Sequence, residues 1–253
     1  MPTAAGLHYF HHDGGGARNF PLVLIHGAGG DHLSWPPEVR RLPSCRVITL
    51  DLPGHGKTHG PGCQSVNDYA RHVAEFMDAL GPARAVVIGY AMGGAIALAL
   101  AIDYPDRVAG IGLISTGPRL PVPSAVMDNA ANRSTLPLAI KSLVEMSLGY
   151  QSPAGLKEII FKRLAQVRPT LLLDDLLASD QFDCTERLAD IHIPTLVICG
   201  TDDKIAPIHF SKILSNQIPG AALQTVEGAG HTLILEQPVR IAKLISIFLM
   251  TVR

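Results

Sequence analysis

Five short, largely apolar runs, each leading straight into a glycine or a polar residue, constrain the fold of this chain more than any other feature. Leu22-Val-Leu-Ile25 leads into His26-Gly27, Arg46-Val-Ile-Thr-Leu50 into Asp51, and Ala85-Val-Val-Ile88 into Gly89. Gly110-Ile-Gly-Leu-Ile114 ends at Ser115-Thr116, and Leu196-Val-Ile-Cys199 at Gly200. The runs are continuous rather than alternating, as in parallel strands covered on both faces. Helical stretches separate them. Val66 to Leu80, with Asn67 or Asp68 as its cap, stops before Gly81-Pro82; Gly94 to Tyr104 is small and apolar, suited to close packing on a sheet; Pro238 to Val252 is an amphipathic closing helix. Strands alternating with helices imply an α/β domain with a mostly parallel sheet and right-handed crossovers.

The 253 residues suit one large domain, or one domain with an insertion. The rhythm breaks between Pro118 and Pro194, where helices over Ser134–Leu148, Pro153–Gln166 and Pro169–Ser179 are predicted and no strand. Proline clusters at both ends mark an insertion, so residues 1–117 and 195–253 are expected to form the core and 118–194 a helical lid. At the carboxyl ends of the strands such a segment roofs the crevice where ligands bind in open α/β sheets; the alternative is a side excursion away from the site. No internal repeat or low-complexity segment interrupts the pattern.

Composition excludes several classes. A net charge of −1 offers no electrostatic reason to expect nucleic acid or an anionic membrane. No apolar run approaches the roughly 20 residues of a membrane span, and no secretory signal opens the chain. The cysteines (Cys45, Cys63, Cys184, Cys199) form no C-x-x-C pair, so no disulfide and a cytoplasmic location are expected. His8, His11 and His12 have only Asp13 beside them and read as an amino-terminal strand rather than a metal site.

The chemistry gathers where the runs end. Gly89-Tyr90-Ala91-Met92-Gly93-Gly94 is the G-x-S-x-G frame of a nucleophile elbow with alanine in the serine's place. Around it stand His26-Gly27-Ala28-Gly29-Gly30, Asp51-Leu-Pro-Gly-His-Gly56, Gly200-Thr-Asp-Asp203-Lys-Ile-Ala-Pro207 and Gly228-Ala-Gly230-His231. With these five motifs in this order the chain resembles the α/β-hydrolase superfamily, serine esterases and lipases in particular, over nearly its full length. The resemblance implies an eight-stranded, mostly parallel sheet with helices on both faces and a helical cap, the motifs following the third, fourth, fifth, seventh and last strands.

It also implies roles. Asp203 matches the family's G-x-x-D-x-x-x-P frame as the triad acid; Asp202 is its rival, while Glu227 and Asp183 lie outside the frame. His231 matches the general base, and Leu235-Glu236-Gln237-Pro238 after it fits the family too. The oxyanion hole falls to the backbone amides of Ala28 and Met92. Gly27, Gly29, Tyr90 and Trp35 are candidates for substrate contact, with Trp35 equally well a packed core aromatic. The leucines of the insertion, with Met127 and Met146, form either an acyl pocket or simple core. Gly54-His-Gly-Lys-Thr58 resembles the tail of a phosphate-binding loop, but that motif needs a glycine where Asp51 stands, so His55 reads as a turn residue.

Ala91 leaves three explanations open. A serine has been replaced, deleting the hydroxyl and keeping the backbone; or the chain is a binding protein or receptor that has lost turnover; or a His231–Asp203 dyad works without a nucleophile, as an oxygenase or in carbon–carbon bond cleavage. Retention of acid, base and both sets of glycines favours the first. The expected parent is then a carboxylic-ester hydrolase working through an acyl-enzyme on a small-molecule ester. Lipases, thioesterases, lactonases and carbon–carbon bond hydrolases share its motifs. No cofactor is expected, and a monomer or small homo-oligomer is.

Overall fold

The computed structural model describes residues 2–15, 20–81 and 84–252. Eight strands form one sheet: β1 (Thr3–Ala4), β2 (Leu7–Asp13), β3 (Leu22–Ile25), β4 (Arg46–Leu50), β5 (Ala85–Tyr90), β6 (Val108–Ile114), β7 (Thr195–Gly200) and β8 (Ala222–Val226). Their order is β1-β2-β4-β3-β5-β6-β7-β8. β1 pairs antiparallel with β2 and β2 with β4; every other pairing is parallel. The strands after which the motifs were expected are β3, β4, β5, β7 and β8, as the resemblance implied.

The continuous apolar runs have a simple cause. Successive side chains point to opposite faces, and both faces are covered. Val23, Ile25, Ile48, Leu50, Val87, Ile111 and Val197 pack with α2 (Val66–Leu80), α3 (Met92–Asp103) and α8 (Ile208–Gln217). Leu22, Leu24, Val47, Val86, Ile88, Leu196 and Ile198 pack on the other side with α1 (Pro37–Arg40), α9 (Leu233–Glu236) and α10 (Pro238–Leu249). α3 is buried all round from Met92 to Ala101, which is why its side chains are so small. α2 is capped two residues before Asn67 and three before Asp68, the expected caps: Ser65 Oγ accepts from the Asp68 amide at 3.1 Å. Its other end stops at Gly81, φ 87°, a left-handed position that glycine fills without strain; Pro82 lies outside the described residues.

Between β6 and β7 stand α4 (Ser124–Ala131), α5 (Leu136–Ser147), α6 (Leu156–Ala165) and α7 (Pro169–Asp180), with no strand among the described residues of this stretch. α4 was not foreseen. These four helices bury their own cluster, Val126, Ala139, Ile140, Val144, Ile160, Leu172 and Leu176. The stem of the insertion is fastened by an antiparallel bridge of Arg119 with Asp183 and by the Cys184 amide on the Pro118 carbonyl at 2.9 Å. Cys63, Cys184 and Cys199 are free thiols, and among the described residues no helix is long and apolar enough to cross a membrane.

Candidate active site

β5 delivers the centre of the site. Its last residue, Tyr90, leads into Ala91, which caps α3 at φ 52°, ψ −118°. Side chains other than glycine rarely adopt positive φ, so the surroundings must impose it. A Cβ on Gly89 would overlap the Gly93 carbonyl, one on Gly93 the Ile25 carbonyl, and one on Gly94 the Thr116 side chain. Strand, turn and helix therefore approach closely enough to force the bend. The Ala91 amide donates to the Ile114 carbonyl at 2.9 Å, and its own carbonyl accepts from Gly94 at 2.8 Å.

Two further loops meet Ala91 at the carboxyl edge of the sheet. Asp203, after β7, is held by the amides of Ile205 and Ala206, at 2.9 and 2.8 Å from its Oδ1. His231, after β8, places Nδ1 3.1 and 3.0 Å from the two Asp203 oxygens. A carboxylate only accepts, so the Nδ1 hydrogen is fixed there and neutral His231 keeps its lone pair on Nε2. Asp202 turns away to the Tyr150 amide at 3.1 Å. The buried Glu236 clamps the turn around His231, accepting from the Gly230 amide at 2.9 Å, Ser152 Oγ at 2.9 Å and Thr232 Oγ1 at 3.3 Å. Tyr90 lies with its ring centroid 5.4 Å from that of His231. Burial pushes its hydroxyl well above the ordinary tyrosine range.

The glycine loop after β3 forms the opposite wall. His26 donates from Nδ1 to the Gly27 carbonyl at 2.8 Å and accepts the Leu52 amide on Nε2 at 3.2 Å, so the ring is neutral. Burial, reinforced by nearby His55, holds its pKa down to about 4. The Gly30 amide bonds the Gly27 carbonyl at 3.0 Å and the Gly29 amide bonds Asp175 at 2.7 Å. Asp51 braces the loop from behind. Its carboxylate accepts His8 Nδ1 at 2.8 Å, His32 Nδ1 at 2.9 Å, and the amides of His32 at 2.7 Å and Lys57 at 3.0 Å. Burial alone would raise its pKa, but these donors hold it below the usual range. Among the described residues, His8, His32 and Asp51 are the one group with the composition of a metal site. Four N–H donors already saturate the carboxylate, which is the signature of a hydrogen-bonded brace.

A cavity of about 730 Å³ opens above these loops. Ala28, Gly29, Tyr90, Ala91, Met92 and His231 line one side; Leu143, Met146, Ile160, Leu164, Leu171 and Leu172 of the insertion line the other. Side chains of the insertion thus share one cavity with the loops at the strand ends. Two expected contacts are corrected. Trp35 does not reach the cavity: it sits between a short 3-10 turn (His32–Ser34) and α1, fully buried with Leu22, Leu24 and Val39 beneath the sheet. Gly27 lies below the cavity wall, where a Cβ would come within 3.2 Å of both the Ala91 methyl and the Tyr90 ring. Met127 packs among the inserted helices instead of lining the wall. Asp175 and Glu236 carry contacts that sequence reading assigned to neither.

The α/β hydrolase fold family model matches residues 21–238. The chain belongs to the α/β-hydrolase family. It is 30% identical to the 2-hydroxymuconate semialdehyde hydrolase of Pseudomonas putida, covering 97% of this chain and 92% of the relative. Among solved structures it is similar to the enol-lactonase of Burkholderia xenovorans LB400 (26% identity, TM-score 0.85, 96% of each chain). It is also similar to a thermophilic esterase from Thermogutta terrifontis (26% identity, TM-score 0.85, 97% of this chain and 93% of that one). The relative and the two structural neighbours are named as a hydrolase, a lactonase and an esterase.

Proposed function

We propose that this α/β hydrolase is a carboxylic-ester hydrolase in which alanine stands at the nucleophile's position. One observation supports this above the rest: the strained elbow residue Ala91 and His231, which is paired with Asp203, border the same cavity. A serine at 91 would sit where His231 Nε2 can take its proton while Asp203 steadies the imidazolium. Met92 begins α3, where a helix leaves its first amides without an intrahelical acceptor. Those of Gly29 and Gly30 are committed to Asp175 and Gly27, so the amides of Ala28 and Met92 are the pair that would receive the oxyanion. The inserted helices serve as a cap whose leucines and Met146 would take the acyl chain. Structural neighbours that are an esterase and an enol-lactonase, a cyclic-ester hydrolase, support the ester class. The carbon–carbon bond hydrolase reading is carried by the 30%-identical relative.

The deciding experiment compares the chain with its Ala91→Ser variant on a chain-length series of nitrophenyl esters, a lactone and a dienoate semialdehyde. Ester turnover that is present with serine and about 10⁶-fold lower with alanine supports the reading. Turnover of the dienoate alone moves the assignment to carbon–carbon hydrolysis. An inert serine variant beside tight ligand binding by the alanine chain makes this a binding protein.

A further inference from the structure

Asp175 lies on α7 within the stripe Leu171, Leu172, Asp175, Leu176 that faces inward, and it is fully buried. Its Oδ2 accepts the Gly29 amide at 2.7 Å and His55 Nε2 at 2.8 Å, and its Oδ1 accepts the Tyr69 hydroxyl at 2.6 Å. The other ring nitrogen of His55 faces the Pro53 carbonyl at 3.0 Å. With Asp175 ionised, its carboxylate and the Pro53 carbonyl only accept, so both nitrogens of His55 carry hydrogen and the ring is an imidazolium. His26, its centroid 4.8 Å away, is neutral by the same reasoning, with one acceptor and one donor partner. Burying one charge of the pair alone would be costly; buried together and hydrogen-bonded, they persist.

We propose that Asp175 is a positioning residue: paired with the His55 imidazolium and the Tyr69 hydroxyl, it fastens the Gly29 amide, so the loop that presents Ala28 holds its shape only while α7 is docked. The proposal rests on the ester-hydrolase reading for the role of Ala28. It makes the inserted helices part of the machinery and not merely its roof. It also accounts for the charge. A lone carboxylate one residue from an oxyanion donor would oppose the developing negative charge, and the imidazolium cancels it. The other ionisable groups that face the pair are His26 and Asp51 at the strand ends, Tyr69 on α2 and Cys63 just ahead of it.

The test begins with the protein as it stands, using ¹⁵N NMR. The His55 ring is expected to remain doubly protonated above the pH at which an ordinary histidine titrates, and Asp175→Asn to lower that midpoint. The Gly29 amide should exchange on the order of 10-fold faster in Asp175→Asn and, more mildly, in Tyr69→Phe, the variant kept in case the first fails to fold. In the Ala91→Ser background, Asp175→Asn should lower kcat on the order of 10- to 100-fold with KM within about twofold. A His55 that titrates as an ordinary histidine, an unchanged Gly29 exchange rate, or an equal loss in KM overturns the proposal. If Ala91→Ser is itself inert, the ester reading falls, while the NMR measurements on the Ala91 chain still decide the role of Asp175.

Discussion

His231 and Asp203 face each other through one ring nitrogen and both carboxylate oxygens, at 3.1 and 3.0 Å. Asp202, its neighbour in sequence, is spent on the Tyr150 amide. In the Ala91→Ser background, Asp203→Asn is therefore expected to lower kcat by about 10⁴-fold, because the amide no longer fixes the Nδ1 hydrogen. Asp202→Asn should change kcat by less than about threefold. Steady-state kinetics on one good ester separates the two, and the opposite ranking would move the acid by one residue.

Ala91 holds a backbone conformation that costs on the order of 1–3 kcal/mol for a residue with a Cβ. Glycine loses about 0.5–1 kcal/mol through chain entropy but escapes that strain. Ala91→Gly is expected to raise stability by about 1 kcal/mol in urea unfolding. A clear fall would mean that the turn is unstrained.

Trp35 tests the boundary between pocket and core. Trp35→Ala should cost about 3–5 kcal/mol of stability, as for any large buried aromatic. Trp35→Phe, which also removes an indole N–H without a partner, should leave ligand affinity of the chain unchanged. A change in affinity with unchanged stability would return Trp35 to the cavity wall.

Stability should be greatest near neutral pH, and the two neighbouring histidines, His26 and His55, set the limits. His26 takes its proton near pH 6.5 when unfolded but only near 4 when folded. The unfolded chain binds more protons between those values, so stability falls as pH drops from 6.5 towards 4. For His55, burial opposes the proton, but Asp175 outweighs it and raises the pKa. Its contribution is complete below 6.5 and is lost as pH rises through the folded value. Thermal melts at stepped pH check both limbs: His26→Asn should flatten the acid one and Asp175→Asn the alkaline one.

The sheet was legible because buried parallel strands write continuous apolar runs, and because each active loop begins where a run ends. The cap of α2 was missed by two or three residues because Ser65, Asn67 and Asp68 are all capable caps and only the bend of the chain selects one. α4 escaped notice because Ser124–Ala131 is short, weakly amphipathic and preceded by prolines. Trp35 was misplaced because a lone tryptophan near a glycine loop looks the same whether it turns up towards ligand or down under the sheet. Asp175 did leave a signal: in Leu171-Leu-Leu-Asp-Asp175-Leu-Leu177 a helical period puts one of the two acids on the leucine stripe. Its partners, at positions 29, 55 and 69, are remote in sequence and could come only from the fold.

The stem of the insertion has a wider consequence. Pro118, shortly after the end of β6, and Cys184, ahead of the segment that leads to β7, are stitched together, so the excursion between them leaves and re-enters at nearly one point. Its length and shape can change without altering the spacing of the scaffold, and a transplanted lid would meet the same socket. What such a transplant must reproduce is a single acid placed to meet the glycine loop, which makes the segment less interchangeable than its tidy attachment suggests.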